Sequence, residues 1–98
     1  MTKVILNGAY MNSKEMAHMY MKWKLKTPQY YGKNLDALWD VLSTYSEPIE
    51  ICLTNKDQLI AKLGDYGEAI IRTFQDAEQE NSNIRFAIIE NGGFGNGF

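Results

Sequence analysis

The alternation of apolar and polar residues predicts three short strands, each rich in β-branched and apolar side chains. These runs are KVILN at residues 3–7, IEICLT at residues 49–54 and NIRFAII at residues 83–89. Each run is five to seven residues long and is bounded by polar or glycine residues, which is typical of strands in a folded domain. The middle run is the most continuously apolar, which favours a buried position in a sheet.

The intervals between these runs have the spacing of helices. Apolar residues recur every three or four positions, and capping residues and glycine or proline mark the ends. The predicted helices run from Ser13 to the lysines before Pro28, from Asn34 to residues 43–45, over residues 56–63 and over about 66–80. The order β-α-α-β-α-α-β predicts an α/β fold in which about four helices pack on a three-stranded parallel sheet. We expect one domain over residues 1–90, followed by a flexible glycine-rich tail at 91–98.

In the first predicted helix, the largest apolar side chains fall on one stripe. These are Met16, Met19, Tyr20 and Trp23. The helical period therefore predicts that this stripe packs on the core. His18, the single histidine, falls off the stripe, and we expect it to be a solvated side chain.

The second predicted helix buries its leucines and displays its aspartates. Its apolar stripe consists of Leu35, Leu38, Leu42 and Tyr45. At 100° per residue, Asp40 lies opposite this stripe, Asp36 lies one turn earlier and Trp39 lies at the border. Taken alone, each aspartate is more readily explained as ordinary solvated surface or, for Asp36, as a helix-stabilising charge in the first turn. Large aromatic side chains beside exposed charges, however, are typical of protein interfaces.

Composition and charge narrow the class of protein. The chain has 98 residues, of which 45% are hydrophobic and 22% charged, as expected for a single globular domain. No apolar run is long enough to span a membrane, the start lacks a signal-peptide pattern, and the one cysteine, Cys52, lies in a predicted buried strand. We therefore expect a cytoplasmic protein. Residues 1–33 carry +5 (six basic, one acidic) and residues 34–98 carry −7 (four basic, eleven acidic), which favours a cationic partner.

The segment PQYYGKNLDALWD, residues 28–40, resembles the signature of the barstar family, the intracellular inhibitors of secreted microbial ribonucleases. The similarity extends over almost the whole chain, because VILNG, GEAIIRTFQDAEQE and NIRFAII resemble the family's first strand, last long helix and last strand. The family fold, a three-stranded parallel sheet with helices, agrees with the order of elements predicted above. Because the acidic and aromatic surface has no His or Cys ligands, we expect a monomer without a cofactor or structural metal. The charge and the apolar pattern of the chain also predict no direct binding of nucleic acid and no association with a membrane.

The resemblance also implies a binding site. Family members block a cationic active site with the second helix and the loop before it, where carboxylates can take the positions of substrate phosphates. By motif match, Asp40 enters deepest into the phosphate site. The full predicted partner-binding set is Tyr30, Tyr31, Gly32, Asn34, Asp36, Trp39, Asp40, Ser43, Thr44, Tyr45, Asp76 and Glu80.

Several residues depart from the family pattern near this site. Thr44 and Tyr45 stand where the best-known pattern has glycine and tryptophan, and Asp76 replaces the longer glutamate. Lys33 places a positive charge within the predicted acidic surface, and the loop at residues 46–47 is one residue shorter. The departures predict a partner that differs in detail from the best-known one.

Three other functions compete with this interpretation. An enzyme could use Asp36 and Asp40 as an acid–base pair or as metal ligands, but no nucleophile–base pair, phosphate loop or Cys/His ligand spacing accompanies them. A nucleic-acid-binding module could use the lysines and aromatics of KWKLK and QYYGK, but the acidic remainder of the chain opposes a polyanion. An immunity protein for a related nuclease toxin, or for another partner, stays open because complementarity belongs to two proteins.

Overall fold

The computed structural model describes residues 2–27 and 31–90 and has the predicted order of elements. The strands are β1 (Thr2–Asn7), β2 (Ile49–Thr54) and β3 (Ile84–Ile89), and the helices are α1 (Lys14–Leu25), α2 (Leu35–Ser43), α3 (Lys56–Leu63) and α4 (Asp65–Glu80). A short 3-10 helix at Gly8–Tyr10, which the sequence pattern did not predict, joins β1 to α1. The predicted tail at 91–98 lies outside the described residues. Among the helices that the structure describes, none is long and apolar enough to cross a membrane.

The three strands form one parallel sheet in the order β1-β2-β3, which confirms the predicted α/β fold. Val4, Ile51 and Phe86 are aligned across the sheet. In a parallel sheet with this strand order, right-handed crossovers, the usual hand, place the intervening helices on one face of the sheet. Accordingly, the face that contains Val4 and Ile51 is buried, whereas Lys3 and Arg85 on the opposite face are exposed.

The core lies between this sheet and the helices. Leu38 and Leu42 of α2 are completely buried, as the periodicity predicts, and α2 packs against α4. In α4, Phe74 stacks on Phe86 of β3 with 5.1 Å between the ring centroids. Cys52 is buried in the central strand, as predicted. The packing places α2 at the periphery with one face in the core and the other free.

The predicted orientation of α1 is wrong for three of the four stripe residues, since only Tyr20 packs against the core. The buried face of α1 contains Ala17, Met21 and Leu25, whereas Met16, Met19 and Trp23 are respectively 48%, 54% and 74% exposed. The helix has apolar side chains on both sides, and the larger ones dominate a count of hydrophobicity. The smaller Ala17 is instead completely buried, in a helix that packs on β1 and the 3-10 helix.

The predicted solvent exposure of His18 is also wrong, because its side chain is only 1% exposed. It lies beside Ala17 and Met21 on the buried face of α1. A buried imidazole is stable when both ring nitrogens have hydrogen-bond partners. Nδ1 lies 2.6 Å from the hydroxyl oxygen of Tyr31, and Nε2 lies 2.6 Å from that of Tyr66.

Candidate functional site

Helix α2 begins at a side-chain cap that also organises the preceding loop. The Oδ1 atom of Asn34 accepts a 2.8 Å hydrogen bond from the backbone N–H of Ala37, and its Nδ2 donates to the carbonyl of Gly32 at 3.3 Å. Between them, Lys33 has a left-handed backbone with φ of 57°. One asparagine therefore couples the helix start to the loop conformation. Gly32, Lys33 and Asn34 are all exposed.

The outward face of α2 displays two carboxylates. Asp36, in the first turn, and Asp40, one turn later, are both exposed, and Trp39 between them is half-buried against the core. This arrangement follows from the burial of Leu38 and Leu42 on the opposite side of the helix. A rigid helix therefore holds two anionic groups and the edge of a large aromatic ring on one accessible surface.

The C-terminal end of α2 is closed by side-chain hydroxyls. Thr44 Oγ1 donates to the carbonyl of Asp40 at 2.6 Å, and Ser43 Oγ donates to the same oxygen at 3.4 Å. The backbone N–H of Thr44 also points at this carbonyl, at 3.2 Å. Both hydroxyls therefore bind one backbone acceptor, the Asp40 carbonyl, near the end of the helix.

Asn81, which the sequence analysis did not identify, anchors the segment after α2. This residue lies just past α4. Its Nδ2 donates to the carbonyls of Leu42 at 2.9 Å and Tyr45 at 3.0 Å. The same nitrogen also donates to the Ser43 carbonyl at 3.4 Å, and Asn83 Nδ2 donates to the Tyr45 carbonyl at 3.1 Å. These partners lie 36 to 39 residues earlier in the chain, so no local sequence pattern could have indicated the contacts.

A surface cleft of about 410 Å³ lies at this end of α2. Two carboxylate residues, Asp40 and Glu47, border it, together with one cationic residue, Lys26. The cleft brings together three residues of the predicted set, because Thr44 and Tyr45 line it beside Asp40. Within the residues that the structure describes, its lining is Lys26, Thr27, Asp40, Val41, Thr44, Tyr45, Ser46 and Glu47.

The two predicted tyrosines of the loop have different outcomes. Tyr30 lies outside the described residues, and Tyr31 is only 7% exposed, with its ring in the core cluster. Burial, and then repulsion from an ionised Tyr66, raises the pKa of Tyr31, so its hydroxyl remains protonated. The structure thus turns Tyr31 inward towards His18, while Gly32 and Asn34 are exposed beside α2.

Helix α4 carries the remaining predicted residues. Asp76 and Glu80 are exposed on a helix that packs against α2, but they do not line the cleft. Their neighbour Glu78 accepts a 3.1 Å hydrogen bond from the N–H of Phe86, which occupies an otherwise open donor of the edge strand β3. Within residues 2–27 and 31–90, no three His, Cys, Asp or Glu side chains are grouped to hold a metal ion.

Comparison with known proteins connects this geometry to one family. The sequence profile of the family described as "Barstar (barnase inhibitor)" matches residues 1–89. A protein of Bacillus subtilis strain 168, named "Putative ribonuclease inhibitor YrdF", is 36% identical over 91 residues, which cover 92% of this chain and 100% of that protein.

Proposed function

Because the chain belongs to the barstar family of ribonuclease inhibitors, we propose that it blocks the active site of a secreted microbial ribonuclease with α2 and the segment before it. The observation that carries this proposal is the exposure of Asp36 and Asp40 one turn apart on a helix whose other face is locked in the core. Such a helix is a rigid support, so that little conformational freedom is lost when its carboxylates bind.

The chemistry of the target explains why carboxylates suit this role. A ribonuclease active site concentrates cationic side chains, because it must bind a phosphodiester and stabilise additional negative charge in the transition state. Carboxylates can form charge-assisted hydrogen bonds with the same arginine, lysine and histidine donors. In this proposal, Asp40 takes the place of a substrate phosphate, and Asp36 binds a neighbouring cation.

The cleft at the end of α2 supports a second contact. Its acidic border, formed by Asp40 and Glu47, suits a basic side chain of the ribonuclease, and Thr44 and Tyr45 provide its polar and aromatic wall. Lys26 on the same border would repel a second cation and so restrict which basic side chains fit. Asp76 and Glu80 on the neighbouring helix would extend the acidic surface at the rim of the interface.

The chain is proposed to act as a free monomer in the cytoplasm, where it would neutralise ribonuclease before secretion. A different toxic nuclease is the alternative partner. One specific observation favours considering it: Lys33 is exposed within the acidic surface and would oppose the most cationic targets. Family membership also favours inhibition over catalysis for this chain.

The test is inhibition of RNA hydrolysis by purified barnase and by a panel of secreted ribonucleases, titrated with the wild-type protein. We expect stoichiometric inhibition of at least one ribonuclease, and its loss in Asp40→Ala but not in Asp57→Ala. Asp57→Ala is a suitable control because Asp57 is also an exposed aspartate on a helix, so that its substitution removes the same charge. If the wild-type protein leaves every ribonuclease fully active, the proposed target class is wrong.

A further inference from the structure

His18 joins three separate parts of the fold through its imidazole ring. The ring belongs to α1, its Nδ1 contacts Tyr31 in the segment before α2, and its Nε2 contacts Tyr66 in α4. Both hydroxyl oxygens lie 2.6 Å from the ring nitrogens, and the histidine is 1% exposed. The ring centroids of Tyr31 and Tyr66 lie 5.8 Å and 5.9 Å from that of His18, so the three rings also pack on one another.

The neutral imidazole fits this environment. It offers one N–H donor and one acceptor, so one tyrosine accepts from the ring and the other donates its O–H to it. Both tyrosines can donate, because burial raises the pKa of Tyr31 and that of Tyr66. The ammonium of Lys14 lies 4.7 Å from the centre of the Tyr66 ring and adds a positive charge to the far side of the network. Burial correspondingly lowers the pKa of His18.

Tyr31 is the only buried residue of the described segment between α1 and α2, residues 31–34, in which the other three residues are exposed. At the other end of this segment, Asn34 begins α2 and bonds to Gly32. The path of the segment is therefore determined by two fixed points: the Tyr31 hydroxyl at His18 and the cap at Asn34. Lys33, which has a left-handed backbone, lies between these two points. Its side chain is exposed and does not anchor the segment in the core.

We propose that His18 is a positioning residue for the partner-binding surface, which holds Tyr31 and thereby presents residues 32–34 and the start of α2 in one conformation. This inference rests on the proposed function, since it concerns the surface by which the ribonuclease would be bound. His18 itself is buried and touches no partner. Without its bond to Tyr31, the segment would have to be ordered during binding, and affinity would fall although no partner contact is removed.

Two substitutions at the same position separate positioning from simple stability. In His18→Asn the side-chain amide stands at the level of Nδ1 and can retain the bond to Tyr31. In His18→Gln it stands at the level of Nε2 and can retain the bond to Tyr66. Both remove the ring, and we expect both to lower Tm. We expect only His18→Gln to increase Kd for the inhibited ribonuclease, by roughly 10- to 100-fold, the effect of freeing one or two backbone residues.

A second pair guards against failure of these variants to fold. Tyr31→Phe and Tyr66→Phe each remove one hydroxyl from opposite sides of the ring and leave the aromatic packing in place. We expect a similar loss of Tm in both, and an increase in Kd only in Tyr31→Phe. Equal Kd values in the two variants would overturn the proposal.

A measurement without a partner distinguishes this inference from the proposed function. Backbone order parameters of Gly32 and Lys33, obtained by NMR relaxation, should fall in His18→Gln and Tyr31→Phe and stay near wild type in His18→Asn and Tyr66→Phe. Unchanged order in all four variants would overturn the positioning role, whether or not any ribonuclease is inhibited. Lowered order with wild-type Kd would overturn it as well. If wild type binds barnase and no other ribonuclease in the panel, Kd is measured with barnase; if it binds none, the proposed function fails while the order parameters still decide the anchoring of the segment.

Discussion

Replacing Asp40 by alanine should separate binding from folding. The Asp40 side chain is exposed and lies in the second half of α2, towards the negative end of the helix dipole. Truncation removes a negative charge from that end and introduces a better helix former. We therefore expect the free energy of unfolding to stay within about 0.5 kcal/mol of wild type, with any change towards higher stability.

The effect on binding should be much larger. In the proposed complex Asp40 faces cations that lose their water when the interface forms, so truncation leaves those cations buried without a partner. Such truncations cost about 2–5 kcal/mol, which corresponds to an increase in Kd of roughly 30- to 5,000-fold. Most of this increase should appear in the dissociation rate, because the total charge of the protein changes by only one unit.

The assay compares Asp40→Ala with Asp57→Ala. Both variants remove one negative charge from an exposed helical position, so that long-range attraction to a cationic partner is reduced equally. Dissociation constants and rates for an inhibited ribonuclease are measured by stopped-flow fluorescence, and Tm by circular dichroism. Equal Kd values for the two variants would refute the phosphate-mimic role of Asp40. A large loss of Tm in Asp40→Ala would show instead that the exposed carboxylate supports the fold.

Further expected outcomes concern stability and association. Asn81→Ala should lower the free energy of unfolding by about 1–3 kcal/mol, because the carbonyls of Leu42 and Tyr45 each lose one donor. Ser82→Ala at the exposed neighbouring position should change the free energy of unfolding little in urea titrations. Gly8→Ala should lower the free energy of unfolding by about 1–3 kcal/mol, because the added Cβ would collide with the backbone carbonyl of Asn55. Gly32→Ala is the control, since its Cβ would meet only ordinary contacts. Equal losses of stability for the two variants in the same titrations would contradict this packing. Because burial lowers the pKa of His18 from 6.5, the unfolded chain takes up the proton first as the pH falls below about 6.5, so stability should fall by up to about 1.4 kcal/mol per pH unit. As the pH is lowered from 7.5, the Tm of the wild type should therefore fall, whereas the Tm of His18→Gln should not show this decrease. Association with the ribonuclease should slow as salt rises, while dissociation changes less; a salt-independent association rate would contradict electrostatic steering.

The order of elements could be predicted because local signals and the hydrophobic pattern agree. Asn34 and Ser13 cap helices as expected from their residue types, and residues 49–54 and 56–63 form a strand and a helix with the predicted bounds. The orientation of α1 could not be predicted in the same way. Its apolar residues surround most of the helix, so that the choice of buried face depends on how α1 packs against β1 and the 3-10 helix, which is a tertiary property.

The outward face of α2 was predictable from periodicity, because four apolar side chains on one side leave the aspartates on the other. The contacts of His18 and Asn81, which hold that helix in place, could not be predicted from the sequence. His18 carries no local signal that two tyrosines, 13 and 48 residues away, will satisfy its ring. Asn81 likewise looks like an ordinary polar residue at a helix end until its carbonyl partners are known. A one-sided apolar pattern such as that of α2 indicates which face is buried, whereas long-range hydrogen bonds depend on how elements meet.

His18 and Asn81 hold opposite ends of α2, and a helix held in this way loses little conformational freedom on binding. Before α2, the chain is connected to α4 through Tyr31, His18 and Tyr66; after α2, Asn81 at the end of α4 bonds to the carbonyls of Leu42 and Tyr45. Both connections therefore hold α2 in place relative to α4, a 16-residue helix that itself packs on the sheet. A charged surface carried on a loose segment would have to be ordered by its partner, and the binding free energy would be reduced accordingly. Under the proposed function, the carboxylates of a helix held at both ends would meet a cationic active site with their geometry already set.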